Sequence, residues 1–448
     1  MGTVLHPTAG FIADVSRGAL PGAPPGVLSA TDRALLRSLA ERVRHIAEEP
    51  RQARLRRDWI AHGDLRSRRP MLLVFPEDSW IEIIADEGLS HRDPFWRQWE
   101  WYLRMIAWRR AHIDDDFVVE PELPTALVAR RGSWGMEARY TRGGEKGSYV
   151  WDAPIKKPAD LSRLSYPRLE LDEEATARAA AALGEVFDGI LPVRVLCPVP
   201  GVNLIGEATM LRGLEQCLVD MYDNPGFLHE LVSFIARGLA EDFDLLESRG
   251  LLTLNNANQY TDSGGIGYTS DLPRADPGGS PAGTAGAAAA GPGRVRLCDL
   301  WGHGVAQELS GVSPAQHEEF LLEHQLPLLD RFGLVAYGCC EPYTHKFDML
   351  KRRVRNLRRV SVSPWCDIAA AAAALEDRYI FSWKPTPAML ADVFHPEVVR
   401  PYIRESLAAA RGCIVEVILK DTFTIRRDPR RVEEWTRIAR EEIERMPA

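Results

Sequence analysis

The sequence predicts an α/β protein built as a single (β/α)8 TIM barrel, with an N-terminal helical extension and an inserted lid-like segment. Short apolar runs with strand character lie near residues 71, 193, 251, 296, 334, 359, 379 and 414. Helical periodicity follows most of them, and strands that alternate with helices are typical of a parallel sheet. The chain of 448 residues is long enough for one barrel with additions.

The predicted organisation has two domains and two insertions. Residues 1–65 form the helical extension, and residues 66–448 form the barrel. Residues 122–165, rich in Gly, Arg and Trp, are predicted to form a lid over the barrel mouth. Residues 275–294 are almost entirely Gly, Ala, Pro and Ser, which indicates a low-complexity insertion.

Composition excludes several classes of protein. The net charge of -8 gives no basic stripe for nucleic acid. No run approaches the roughly 20 apolar residues of a membrane-spanning helix. Seven cysteines in a chain of this length do not suggest a disulfide framework. The sequence therefore predicts a soluble cytoplasmic protein that binds neither nucleic acid nor membrane.

The central prediction about the site comes from residues 334–342. An apolar run is followed there by glycine and closed by proline, so Cys339, Cys340 and Glu341 are expected at the carboxyl end of a buried strand. In a parallel barrel this end carries the chemistry. The other strands are therefore expected to deliver side chains to the same face.

Polar and aromatic residues near the other strand ends complete the predicted site. The catalytic candidates are Glu341, Glu308, Lys420 and Asp421. The substrate-binding candidates are Glu77, Trp80, Asn255, Asn256, Tyr268, His303, Trp365, Asp367 and Lys384. Polar groups are costly to bury without a function. Structural ion pairs at the rim remain the alternative for the two lysines, and a solvated loop acid for Glu77.

Two neighbouring segments have less specific patterns. Residues 94–112 carry four tryptophans at helical spacing, which more often form core or a subunit contact than a ligand cage. A homodimer is therefore one expectation. Residues 114–116 are three consecutive aspartates, which fit a solvated turn at a helix end, with a metal site as the alternative.

Several segments together resemble the uroporphyrinogen decarboxylase superfamily. They are the helix pair between Gly206 and Gly238, the Val-Ser-Pro-Ala run at residues 312–315 with the helix after it, the cysteine segment, and the Arg-Asp-Pro run at residues 427–429. The resemblance covers about residues 190–440. It implies a (β/α)8 barrel that catalyses either decarboxylation or methyl transfer among corrinoid proteins, thiols and methylated substrates.

The segment after the first strand separates these activities. True uroporphyrinogen decarboxylases carry Arg-Gln-Ala-Gly-Arg there, and its arginines bind substrate carboxylates. In this chain residues 75–80 read Phe-Pro-Glu-Asp-Ser-Trp, which would repel a polycarboxylate. The sequence therefore favours a methyltransferase that moves a methyl group between a corrinoid protein or methylated small molecule and a thiol-type acceptor. A cofactor-independent decarboxylase and a non-catalytic ligand-binding barrel are the alternatives.

The resemblance also bears on cofactors. Corrinoid-linked methyltransferases bind zinc through His-x-Cys at a strand end and a later Cys. In this chain Tyr337 and Cys339 take the places of the His and the Cys of His-x-Cys, and the place of the later Cys falls near Lys420. Of these residues, Cys339 alone matches. Zinc on Cys339 and Cys340, with Glu341 or His303 as the third ligand, is one expectation. The implied cofactors are zinc and a corrinoid carried by a partner protein, or none for a decarboxylase.

Overall fold

The structure is a computed structural model that describes residues 24–142, 149–197, 199–261, 263–274 and 294–446. The predicted low-complexity insertion lies outside these ranges except for its last residue. Residues 1–23 of the predicted extension and 143–148 of the predicted lid also lie outside them. None of the described helices has the length and apolar content needed to cross a bilayer.

The described chain alternates helices and strands for most of its length. Its helices are α1 (Ala30–Ala47), α2 (Pro50–Gly63), α3 (Trp80–Ile83), α4 (Pro94–His112), α5 (Glu173–Phe187), α6 (Leu204–Arg212), α7 (Leu214–Asp223), α8 (Pro225–Ser248), α9 (Pro314–His317), α10 (Glu323–Leu329), α11 (Phe347–Arg353), α12 (Ile368–Leu375), α13 (Ala388–Ala391), α14 (Pro396–Ala409) and α15 (Arg430–Glu444). Its strands are β1 (Met71–Val74), β2 (Leu123–Ala126), β3 (Ala129–Arg131), β4 (Arg139–Arg142), β5 (Tyr149–Asp152), β6 (Leu169–Leu171), β7 (Val193–Leu196), β8 (Trp301–Gly304), β9 (Leu334–Tyr337), β10 (Leu357–Val362), β11 (Ile380–Trp383) and β12 (Ile414–Leu419).

Six of these strands form one parallel sheet in the order β1-β12-β11-β10-β9-β8. The strands predicted near residues 71, 334, 359, 379 and 414 are thereby confirmed. Helices follow β8 to β12 along the chain, as parallel crossovers require. The carboxyl ends of all six strands consequently lie along one edge.

The other three predicted strands differ from expectation. Near residue 296 the chain first makes a 3-10 helix, and the strand begins only at Trp301. The run at 251–254 has no strand geometry. β7 forms as predicted, but it pairs with β2 in a separate two-stranded parallel sheet. Within the described residues the regular strands thus establish an α/β fold with a six-stranded parallel sheet, and they do not close an eight-stranded barrel.

The run at 251–254 was expected to pair as a strand with its neighbours. Side-chain hydrogen bonds take the place of that backbone pairing. The Asn255 amide donates to the Trp301 carbonyl and accepts from the Trp301 N–H, both at 3.0 Å. The Thr253 hydroxyl accepts from the Cys197 N–H at 3.0 Å. The segment therefore lies between β7 and β8 without strand geometry, because its polar side chains satisfy the neighbouring backbone.

The predicted lid contains short strands. Besides β2, it includes β3, which pairs antiparallel with β6, and the antiparallel pair β4 and β5. Whether this segment covers the site stays a prediction.

The N-terminal helices share the core of the sheet. One contiguous cluster of buried apolar side chains runs from Leu36 in α1 to Ile443 in α15. The Trp59 indole in α2 donates to the Asp116 carbonyl at 2.7 Å, and Arg56 pairs with Glu120 at 2.7 Å. Residues 24–65 of the predicted extension, the part that the structure describes, are therefore packed onto the rest of the chain.

The tryptophan-rich helix α4 also belongs to the core. Trp96, Trp99 and Trp101 are all less than a tenth exposed. Trp108 and Trp101 both pack edge-on against Trp80. These rings are covered within one chain, which fits the core interpretation, and the homodimer stays a prediction.

The acidic run was wrongly interpreted as a solvated turn. The Asp115 carboxylate accepts from the Val74 N–H at 2.9 Å, and the Asp116 carboxylate accepts from the Leu72 N–H at 2.8 Å. Both side chains are buried, whereas Asp114 is exposed. The two carboxylates accept hydrogen bonds from backbone N–H groups on the free edge of β1, which a neighbouring strand would otherwise have to accept.

Candidate active site

The predicted thiol pair lies in the loop that follows β9. Gly338 turns the chain out of the strand with φ +104°, a conformation that favours glycine. A Cβ there would lie 2.5 Å from the Tyr343 ring, so a larger residue does not fit. The Sγ atoms of Cys339 and Cys340 follow, 3.5 Å apart, and both side chains are half-buried. The pair therefore lies at the carboxyl edge of the sheet.

Glu341 fixes this loop in place. Its carboxylate accepts from the backbone N–H of Cys339 at 2.9 Å and of Ala306 at 3.1 Å, and from the Tyr343 hydroxyl. Its side chain is 1% exposed. These contacts connect the loop after β9 to the segment after β8, so they fit a positioning role. Catalysis by Glu341 stays a prediction.

The ends of β1 and β12 bring three further predicted residues to the thiol pair. Lys420 Nζ donates to Asp421 Oδ1 at 2.6 Å, and the Asp421 N–H donates to Glu77 Oε2 at 2.6 Å. Cys340 Sγ lies 3.7 Å from Asp421 Oδ2. Glu77 and Asp421 have φ of +46° and +57°, and such conformations cost about 1–3 kcal/mol each. Strain of this kind is concentrated at functional sites.

These contacts shift the pKa values of the two thiols in opposite directions. The hydrogen bond from Cys340 lowers the pKa of Cys339 to about 6, against burial and with help from Lys420 and from the Ser263 hydroxyl 3.4 Å away. The same bond and burial raise the pKa of Cys340 well above its ordinary value. Burial alone would lower the pKa of Lys420, but the neighbouring carboxylates raise it. The cluster therefore pairs a Cys339 thiolate with an ammonium group.

Ser263 was missing from the predicted site. It is carried by a glycine-rich loop in which Gly264 has φ +98°. A Cβ on Gly264 would lie 2.8 Å from the Ile418 side chain. The bare backbone can therefore pack on β12 and bring Ser263 to Cys339. The sequence signal was the glycine run itself, which indicates a close backbone approach.

Two predicted residues near β8 face the same edge. His303 Nε2 donates to the Gly338 carbonyl at 3.1 Å, beside the thiol loop. In the part of the chain that the structure describes, Glu308 Oε2 is buried without a hydrogen-bond partner. Burial raises the pKa of Glu308, and the charges of Glu341 and Cys339 add to this. Glu308 is thus suited to hold a proton near the thiols.

Lys384 belongs to an ionic cluster on the inner strands. Its Nζ donates to the Ser382 carbonyl and hydroxyl at 3.2 and 2.5 Å. Ser382 donates in turn to Glu416, which pairs with Arg359 at 2.9 Å. Burial raises the pKa of Glu416, but Arg359 and His62 outweigh it and hold this pKa far below the usual range. Arg359 and Glu416 were not predicted, although charged residues inside apolar strands were the available signal.

The other predicted substrate-binding residues have the following surroundings. Trp80 packs on two tryptophans of α4, and Trp365 is 74% exposed. Asn255 forms hydrogen bonds with the backbone of Trp301, and Asn256 with the backbone at residues 269–273. Tyr268 donates to Glu120, and Asp367 caps the N-terminus of α12. For these residues substrate binding stays a prediction.

The donor set does not fit the zinc site expected from the resemblance. Within the described ranges, no three His, Cys, Asp or Glu side chains are grouped so that they could hold one metal ion. Glu341 is occupied by its backbone and hydroxyl donors, and His303 by the Gly338 carbonyl. The chemistry below therefore has no step through zinc.

Comparison with known proteins finds a distant likeness among solved structures. No protein-family model matches the chain, and no curated protein matches it. Among solved structures, a methyltransferase from Methanosarcina mazei is similar at 10% sequence identity and a TM-score of 0.45, over 86% of this chain and 98% of that one. No activity follows from a likeness at that level. The superfamily resemblance stays a prediction.

Proposed function

We propose that this chain is a methyltransferase in which the Cys339 thiolate accepts a methyl group from a positively charged methylated small molecule. The observation that carries the proposal is the polarised thiol pair. The two sulfur atoms lie 3.5 Å apart, and the hydrogen bond between them, with Lys420 nearby, lowers the pKa of Cys339 and raises that of Cys340. A thiolate is an effective nucleophile for a methyl carbon.

The transfer is a single displacement. The sulfur of Cys339 forms a bond to the methyl carbon, and the bond from that carbon to the leaving atom breaks. The electron pair stays on the leaving group, so a sulfonium or quaternary ammonium donor departs as a neutral molecule. The reaction converts one anion and one cation into two neutral species, and no proton has to move.

The surrounding charges favour a cationic donor. Glu77 and Asp421 are carboxylates near the thiol pair. Lys420 pairs with Asp421 at 2.6 Å, and the charge of Glu77 also acts on it. Trp365 and Phe423 follow β10 and β12 at the same edge, and they are 74% and 70% exposed. Aromatic faces attract quaternary ammonium groups. A cation would therefore be attracted to this edge, whereas an anion would be repelled.

The later fate of the methyl group is proposed from the superfamily resemblance. It would pass from Cys339 to a thiol-type acceptor or to a corrinoid protein that docks at this edge. The acceptor would bond to the methyl carbon, the bond from that carbon to Cys339 Sγ would break, and Cys339 would leave as the thiolate. The same resemblance leads us to propose a (β/α)8 barrel. Contacts at both borders of the sheet support it, since Val202 bridges Gly304 beside β8 and the Asp116 N–H donates to Leu72 in β1 at 2.8 Å.

The test is methylation of Cys339 in the full chain. Reduced protein is incubated with trimethylsulfonium or tetramethylammonium, and the peptide containing Cys339 is analysed by mass spectrometry. We expect a gain of one methylene unit, absent in Cys339→Ser and retained in Cys298→Ser, which removes an exposed thiol elsewhere. Unmodified Cys339 with both donors would contradict the proposal.

Decarboxylation is the second candidate. Glu308 favours it, because its buried Oε2 has no hydrogen-bond partner among the residues that the structure describes. A neutral carboxyl group near the thiols could protonate the carbanion that remains after carbon dioxide leaves. In that case Glu308→Gln would abolish release of carbon dioxide from carboxylated small molecules, whereas Cys339→Ser would retain it. Release of carbon dioxide that persists in Glu308→Gln and is lost in Cys339→Ser would exclude this role of Glu308.

A further inference from the structure

The two adjacent thiols of the candidate site are also placed to react with each other. Their sulfur atoms lie 3.5 Å apart, and a disulfide requires about 2.05 Å. We propose that Cys339 and Cys340 form a reversible disulfide when the protein meets a hydroperoxide. The pair would then be an oxidation site as well as a nucleophile.

The sulfur atoms can approach each other through movement of the Cys340 side chain. Both residues follow β9 and lie outside the helices and strands. The Cys339 N–H is held by Glu341 and its carbonyl by the Ser361 hydroxyl at 2.7 Å, which fixes the backbone on one side of the pair. The Cys340 side chain makes a long contact with Asp421 at 3.7 Å, so little is lost when its sulfur turns toward Cys339.

The oxidation proceeds in two balanced steps. The Cys339 thiolate attacks one oxygen of hydrogen peroxide, the O–O bond breaks, and hydroxide leaves with its electron pair, which gives a sulfenic acid. The Cys340 sulfur then attacks the Cys339 sulfur, the S–O bond breaks, and water leaves with the proton from Cys340. One thiolate and one thiol together lose two electrons, and one peroxide is reduced to one hydroxide and one water.

The resulting disulfide should be easy to reduce. Neighbouring Cα atoms across a trans peptide are about 3.8 Å apart, whereas disulfides usually join Cα atoms about 4.4–6.8 Å apart. A bond between adjacent residues is therefore strained, and strained disulfides have higher reduction potentials. These are the properties of a reversible switch rather than of a structural crosslink.

The consequence for catalysis rests on the proposed function. In the disulfide, Cys339 has no thiolate with which to accept a methyl group. Oxidation would thus stop methyl transfer, and a dithiol reductant would restore it.

The test measures the modification separately from activity. Reduced full-length protein is treated with one equivalent of hydrogen peroxide, denatured and alkylated with iodoacetamide, and its mass is measured. We expect two fewer alkylated cysteines than in untreated protein, a single peptide that carries the Cys339–Cys340 bond, and full reversal by dithiothreitol. Cys340→Ser should instead give a Cys339 sulfenic acid that dimedone traps.

Cys366→Ser is the matched control, because Cys366 is a buried thiol that follows the neighbouring strand β10. This variant should form the disulfide as the wild type does. A Cys339–Cys366 crosslink, or sulfinic acid at Cys339 without loss of two thiols, would overturn the proposal. Disulfide formation without methylation by the sulfonium donor would contradict the proposed function alone, and methylation without disulfide formation would contradict the switch alone.

Discussion

At the scale of single residues, the Cys339 thiolate can be measured directly. Iodoacetamide reacts with the thiolate, so the alkylation rate of Cys339 should rise with pH around the pKa of about 6 and level off above it. Lys420→Met removes a cation that lowers this pKa, so the midpoint should move upward by about one pH unit. The rate is followed by mass spectrometry of the Cys339 peptide.

Lys156→Met is a suitable control, because Lys156 is exposed and pairs with Asp152 elsewhere on the surface. It should leave the midpoint unchanged. An unchanged midpoint in Lys420→Met would show that Lys420 does not stabilise the thiolate.

His317 gives a second prediction at this scale. It is completely buried and donates from Nε2 to the Tyr337 hydroxyl at 3.0 Å, and burial lowers the pKa of His317 to about 3. An unfolded histidine has a pKa of about 6.5, so below that pH the unfolded chain binds a proton that the folded chain does not. The free energy of unfolding should therefore fall on acidification toward pH 3, by about 1.4 kcal/mol per pH unit from this residue.

The measurement is urea denaturation at a series of pH values. His317→Gln should reduce the pH dependence below about pH 6 by close to one proton. His45→Gln, which removes an exposed histidine of α1, controls for the loss of a histidine. The same slope in His317→Gln and wild type would contradict the buried neutral histidine.

At the scale of elements, the aspartates beside β1 replace a missing strand. Asp116 accepts from the Leu72 N–H and pairs with Arg440 at 2.9 Å. Asp116→Ala removes the acceptor of the buried Leu72 N–H and one carboxylate partner of Arg440, which keeps its bonds to the Asp114 carbonyl, so it should lower the free energy of unfolding by about 3–5 kcal/mol. Asp114→Ala removes an exposed carboxylate and should cost less than about 1 kcal/mol. Chemical denaturation compares the two variants, and equal losses would refute the edge-capping role.

At the scale of the whole molecule, the N-terminal helices are part of one core. Besides Trp59 and Arg56, Asp64 accepts from the Thr269 hydroxyl at 2.6 Å and the Ser270 N–H at 2.7 Å. A chain of residues 66–448 would expose this surface. We expect it to lose the cooperative thermal transition of the full chain, as followed by circular dichroism. An unchanged midpoint would instead support an independent barrel domain.

Part of this organisation could be read from the sequence. Apolar runs closed by glycine or proline gave β1 and β9, and an apolar run that ends at Lys420 gave β12. The residues after these runs, Glu77 and Cys339 among others, do meet at one edge. The position of Ser263 in the sequence could not show that its side chain approaches Cys339, since that contact depends on Gly264 packing on β12. Nor could sequence position reveal the pairing of Arg359 with Glu416, because the two lie on strands separated by β11.

By itself, the sequence determined the alternation of strands and helices and the placement of two thiols at a strand end. Both follow from local chain chemistry, that is, from hydrophobic period and chain-breaking residues. The tertiary structure alone decided that Asn255 would satisfy the Trp301 backbone in place of a strand, and that the surroundings would lower the pKa of Cys339 and raise that of Cys340. Those outcomes depend on which donors and charges come within a few ångströms, and only the packed chain brings them there.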